Sequence, residues 1–229
     1  MKRLEDMLVM QQSLNESTSG KDWIKGFTDK GKPINWRRCI YMEAAELIDS
    51  YPWKHWKNID AQPDWNNIKI EVVDIWHFVL SEALRDYKIN RKGDIEKLTN
   101  DIIKLANYQS FKENLKPLDE DIYKQIAWVE NFVKTLFTSE DVLTLIDAFF
   151  NMAYLMQVNL DVLYRLYIGK NILNLFRQDH GYKEGKYIKQ WNGLEDNVMM
   201  QEFLEKQPDV TPEKLYALLE DAYEKVERA

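Results

Sequence analysis

Apolar residues recur at helical spacing along most of the chain. Leu4, Met7, Leu8 and Leu14 fall on one helical face, with Gln11 among them. A second helix is predicted from about Asn35, a plausible N-cap, to Ser50, and Pro52 ends it because proline cannot continue an interior helical ladder. Pro63-Asp64 opens a third helix that runs to about Tyr87. Its apolar positions Ile70, Val73, Trp76, Phe78, Val79 and Leu80 cover much of the circumference, which predicts a central helix. Gly93-Asp94 opens a helix toward Tyr108, and further helices are predicted over 119–136, 140–157 and 160–177. Thr211-Pro212-Glu213 opens the last: threonine caps, proline fits the first turn and glutamate suits the positive end. Residues 17–33, 109–118 (with Pro117) and 181–197 read as loops, and Trp53 to Lys57 as a short aromatic and basic connection. No strand alternation, long heptad run or internal repeat interrupts this pattern. The expected fold is all-α, a bundle-like globular domain spanning residues 1–229, with a rigid helical core over 1–90 and 119–229 and a mobile insertion near 93–118.

Composition sharpens this picture. Only eight glycines and six prolines break 229 residues, which favours helix, and the length suffices for a sizeable core. The net charge is -7 with the acids dispersed, which argues against a polymeric nucleic-acid partner, since such partners usually need a basic surface. No apolar stretch reaches the roughly 18–20 residues of a membrane span, and the N-terminus turns acidic where a signal peptide would be apolar. A single cysteine, Cys39, excludes an internal disulfide framework and fits a reducing compartment. The expectation is a cytoplasmic protein without a membrane partner.

The chemistry concentrates in two pairs of acids. Glu43 and Glu46 are three residues apart, as are Glu71 and Asp74, so each pair shares one helix face inside an otherwise apolar segment. An inward carboxylate needs a cation or must take up a proton. Two such pairs on consecutive helices can hold hard divalent ions and leave room for a polyphosphate. The same spacing is common on solvated helix faces, so the residues alone leave both readings open. No Gly-Lys-Ser or Gly-Lys-Thr loop supports a Walker-type ATPase, and no His-x-x-x-His pair or cysteine cluster supports zinc.

Glu-x-x-Glu followed, after 24 intervening residues, by Glu-x-x-Asp resembles the all-α nucleoside triphosphate pyrophosphatase superfamily. The stretches from Glu46 to Lys57 and from Gly181 to Trp191, with Glu195-Asp196-Asn197 after it and Gln12-Ser13-Leu14-Asn15 before them, are similar to the dimeric all-α dUTPases. The resemblance implies two or more Mg²⁺ ions on Glu43, Glu46, Glu71 and Asp74, with Glu43 as base for the attacking water and Glu46 beside it as the second catalytic acid. It implies hydrolysis of dUTP and dUDP to dUMP, with attack at the β-phosphorus, in a homodimer. Gln12 and Asn15 would bind the nucleoside, and Trp53, His55, Trp56 and Phe78 would wall its pocket. Asn174, Arg177, Tyr182, Lys183, Lys186, Lys189 and Asn197 would bind phosphate or sugar. Ile126, Trp128, Phe132, Leu143, Phe149 and Phe150 serve either the dimer interface or the protomer core. Two other readings stand beside this one: a related pyrophosphatase of different base preference, and a non-enzymatic helical interaction protein.

Overall fold

A computed structural model describes residues 1–57, 60–113 and 118–226. Among these residues the regular structure is ten α-helices, one 3-10 turn and a two-stranded hairpin, so the fold is all-α. The chain divides into two compact units, Met1–Leu163 and Tyr164–Ala229.

The first unit holds α1 (Lys2–Ser19), α2 (Trp36–Asp49), α3 (Trp65–Ile89), α4 (Ile95–Ile102), α5 (Tyr108–Glu113), α6 (Ile122–Thr138) and α7 (Val142–Leu155). Acidic or amide side chains start several of them. Asn35 accepts from Arg38 N, Asp64 from Asn67 N, Asp94 from Lys97 N and Asp141 from Thr144 N, each satisfying a donor the helix leaves over. The 25-residue α3 is buried through most of its length and packs against α2 and α7. Trp76, fully buried, stacks on Phe149 of α7 at 4.7 Å between ring centroids.

Two parts of this unit differ from the pattern reading. The helix after Gly93-Asp94 stops at Ile102, and the described part of the expected loop 109–118 begins with α5. Phe111 is fully buried and stacks on Phe150 at 4.6 Å, with Tyr108 one turn earlier against the same ring at 5.7 Å. That apolar i, i+3 pair folds the segment into a helical turn over the core. Pro117 lies outside the described residues. Ile126, Phe132, Phe149 and Phe150 are buried in the protomer's own core, while Trp128 and Leu143 are half-buried.

Helix α8 (Leu160–Asp179) begins at the end of the first unit and continues into the second. There the expected loop 181–197 contains strands β1 (Gln190–Trp191) and β2 (Leu194–Glu195), paired antiparallel, and its end merges into α9 (Asp196–Lys206). The hairpin turn is Asn192-Gly193, both with positive φ (52° and 91°), the backbone that a two-residue hairpin needs and that asparagine and glycine tolerate best. The unit closes with α10 (Pro212–Tyr223), capped by Thr211, and its core gathers Phe176, Tyr187, Trp191 and Tyr223 within ring contact.

Removing the ring that joins α3, α5 and α7 should be costly. Phe150→Ala is expected to lower the stability of the fold by about 3–5 kcal/mol in urea unfolding, through lost transfer energy and the residual cavity. A loss below about 1 kcal/mol would contradict this packing.

Candidate active site

Helices α2 and α3 join through apolar faces: Ile40, Ala44 and Leu47 on one, Ile68, Val72, Ile75 and Val79 on the other, all nearly free of solvent exposure. That packing brings the acids together. Glu43, Glu46 and Glu71 each offer a carboxylate oxygen within 4.8 Å of the others. Glu71 is 6% exposed, Glu43 half-buried and Glu46 exposed. Asp74 lies half-buried one turn further along α3 and stands outside the triplet. Carboxylates this close repel one another when ionised, least where solvent screens the exposed Glu46. Oxygen-only donors with that charge fit a hard divalent cation.

Beside the triplet opens a cleft of about 470 Å³, lined among others by Glu46, Asp49, Ser50, Lys54, Lys57, Asn67 and Glu71. Lys54 pairs with Asp49, whose carboxyl is held below its ordinary value chiefly by that hydrogen bond and next by one from Trp53. Lys57 has no ion-pair partner among the described residues. Trp53 and Trp56 meet edge to face at 5.6 Å, and His55 meets Trp56 at 4.8 Å, with Trp56 64% exposed. Cys39 lies one turn before Glu43, and burial first, then the Glu43 charge, push its thiol up.

The structure separates the expected Gln12–Asn15 pair. Gln12 is exposed, donates to Glu16 at 3.3 Å and lines a different cleft of about 880 Å³ at the end of α3 and the start of α4. Asn15 is buried, and its partner is Gln11, on the apolar face of α1. A buried polar cluster results. Gln11 Nε2 donates to Asn15 Oδ1 and Ser81 Oγ, both at 3.0 Å, and Asn15 Nδ2 donates to Ser81 Oγ at 3.0 Å. His77 Nδ1 meets Gln11 Oε1 at 2.7 Å, with the nitrogen donating because an amide oxygen only accepts. Phe78, next to His77, is half-buried and stacks on Trp36 at 5.9 Å. Gln11, His77, Ser81, Lys54, Lys57 and Asn67 were not among the residues expected at the site. Gln11 was legible as the one polar member of the α1 face, whereas His77 and Ser81 sit on a helix buried nearly all round and carry no spacing signal.

In the second unit the expected cations take two forms. Arg177, 8% exposed, makes a bidentate pair with Asp196, 1% exposed, through Nε and Nη2 at 2.8 Å each. Tyr187 also donates to Asp196 at 2.8 Å, and burial first, then the Asp196 charge, push that phenol well above its ordinary value. Asn197 Oδ1 accepts from Lys170 at 3.0 Å, and Asn174 Oδ1 accepts from Arg177 at 3.4 Å. Arg177, Asn174 and Asn197 therefore belong to one structural network. Lys183, Lys186 and Lys189 are exposed, and Lys189 lies over the Tyr182 ring at 5.6 Å.

A family model described as dUTPase matches residues 3–182. The chain belongs to the dUTPase family. No curated protein matches it. The stretch of this dUTPase-family chain that matches carries all four expected acids and the Gln11–Asn15–His77–Ser81 cluster, and it ends at Tyr182.

The Arg177–Asp196 pair gives a direct check on the second unit. Arg177→Ala strands a buried carboxylate and should cost about 3–5 kcal/mol in denaturant unfolding. The double variant Arg177→Ala/Asp196→Ala should recover part of that loss. A single variant as stable as the parent would contradict the pairing.

Proposed function

We propose that this chain is a Mg²⁺-dependent dUTP diphosphatase that hydrolyses dUTP and dUDP to dUMP, releasing pyrophosphate or phosphate. The supporting observation is the carboxylate triplet on α2 and α3, which abuts a cleft that also offers lysines. Glu43, Glu46 and Glu71, joined by Asp74 from the next turn of α3, hold the metal. Mg²⁺ bound there neutralises the acids and the substrate phosphates and lowers the pKa of a water.

The chain's own groups do the rest. Glu43 takes the proton of the attacking water as general base, and attack falls on the β-phosphorus. Lys57, at the cleft, binds phosphate oxygens. Asn15 reads the uracil edge. Its amide is preset by Gln11 and Ser81, so little orientational freedom remains to be lost on binding. Trp53, His55 and Trp56 form the outer wall of the base pocket, with Phe78 on its inner side. Discrimination against cytosine follows from hydrogen-bond mismatch at a buried amide, which separates substrates better than a missing or added methyl. The enzyme works as a homodimer in the cytoplasm, a reducing compartment that its single cysteine fits.

Phosphate or pyrophosphate release from a panel of deoxynucleotides tests this reading. Turnover is expected for dUTP and dUDP with Mg²⁺, little for dCTP and dTTP, and none after chelation by EDTA. Glu43→Gln should lower kcat by about 10²–10⁴-fold. Chelator-resistant hydrolysis, or a preference for another base, would overturn the reading.

A further inference from the structure

Asn67 stands three residues after the Asp64 cap of α3 and four before Glu71. A polar side chain at that position often turns back to the N-cap N–H. Here that N–H is already engaged, because Asp64 N donates to Ser50 O at 2.9 Å. The half-buried Asn67 amide instead gives its two hydrogens to two different helices. Nδ2 donates to Ser50 Oγ at 2.8 Å and to Glu71 Oε1 at 3.1 Å. Ser50 is the C-cap of α2, and both its N and its Oγ reach the Glu46 carbonyl at 3.1 Å. One amide thus ties the end of the helix bearing Glu43 and Glu46 to the carboxylate on α3. All of these groups border the same cleft.

We propose that Asn67 is a positioning residue of the acid centre, one that sets the affinity for the metal without touching metal or nucleotide. Glu71 has three side-chain torsions, and its burial does not by itself choose the one that meets Glu43 and Glu46. The Asn67 hydrogen bond chooses it, and the second leg to Ser50 fixes the amide that makes the choice. Only a primary amide of this length supplies both donors: aspartate offers acceptors alone, and serine is too short to span the two partners. Outer partners of metal-binding carboxylates act in this way, and losing them typically weakens binding by about 10–100-fold. The inference rests on the metal centre proposed above.

Mn²⁺ titration followed by electron paramagnetic resonance, without nucleotide, reads the effect directly. Asn67→Ala should bind Mn²⁺ about 10–100-fold more weakly than the parent, with unchanged helical circular dichroism. In dUTP hydrolysis its half-saturating Mg²⁺ should rise in parallel, while KM for dUTP at saturating Mg²⁺ stays within about twofold, a split that a merely structural role would not produce. Ser50→Ala, which removes one leg, should give a smaller shift of the same sign. If Asn67→Ala does not fold, Asn67→Ser is read in the same way. Glu71→Gln separates the two claims. If Glu71→Gln loses Mn²⁺ while a folded Asn67 variant binds like the parent, the role of Asn67 is overturned and the metal centre stands. If the parent itself holds no Mn²⁺, the metal centre is overturned and this inference with it.

Discussion

Mutual repulsion among Glu43, Glu46 and Glu71 is the constraint around which the first unit is arranged. Like charges within 4.8 Å push the helices that carry them apart, so something else must hold α2 and α3 together. Apolar burial does so. Ile40, Ala44 and Leu47 close against Ile68, Val72, Ile75 and Val79, and burying each large aliphatic side chain contributes about 1.5–3 kcal/mol. A divalent cation held between the three carboxylates would turn this repulsion into attraction.

The same logic runs outward from the acids. Asp64 caps α3 and so fixes where Glu71 falls along it, and Ser50 ends α2 on the carbonyl of Glu46 itself. The polar cluster of Gln11, Asn15, His77 and Ser81 is buried, with the Gln11, Asn15 and Ser81 side chains hydrogen-bonded to one another and His77 Nδ1 to Gln11. Mutually satisfied buried groups can be held rigidly without a large desolvation penalty. A hydrogen-bonded amide on α1 and an acid set on α2 and α3 give the first unit two polar centres, one neutral and the other anionic.

Much of this was legible in the sequence because it depends on spacing. The i, i+3 acids among apolar residues marked α2 and α3, and Asn35, Asp64, Asp94 and Thr211 marked helix starts because capping is local chemistry. What escaped depends on tertiary contact. Tyr108 and Phe111 form a helical turn only because Phe150 waits beneath them. Asn192-Gly193 was a readable hairpin signal, but the two-residue strands beside it are too short to show alternation. Asn15 bonds to Gln11, while Gln12, the amide paired with it by spacing, bonds to Glu16. The buried face of α1 already contained Gln11, and a one-residue shift along a helix turns a side chain by about 100°. The Arg177–Asp196 pair escaped because its members lie 19 residues apart and meet only on folding.

The central claim is that the carboxylates of α2 and α3 share a cation. Anomalous diffraction from a crystal grown with Mn²⁺ tests it most directly. A peak about 2.0–2.3 Å from oxygens of Glu43, Glu46 and Glu71 is the expected result. Carboxylates turned away from one another into solvent, with no anomalous density between them, would contradict it.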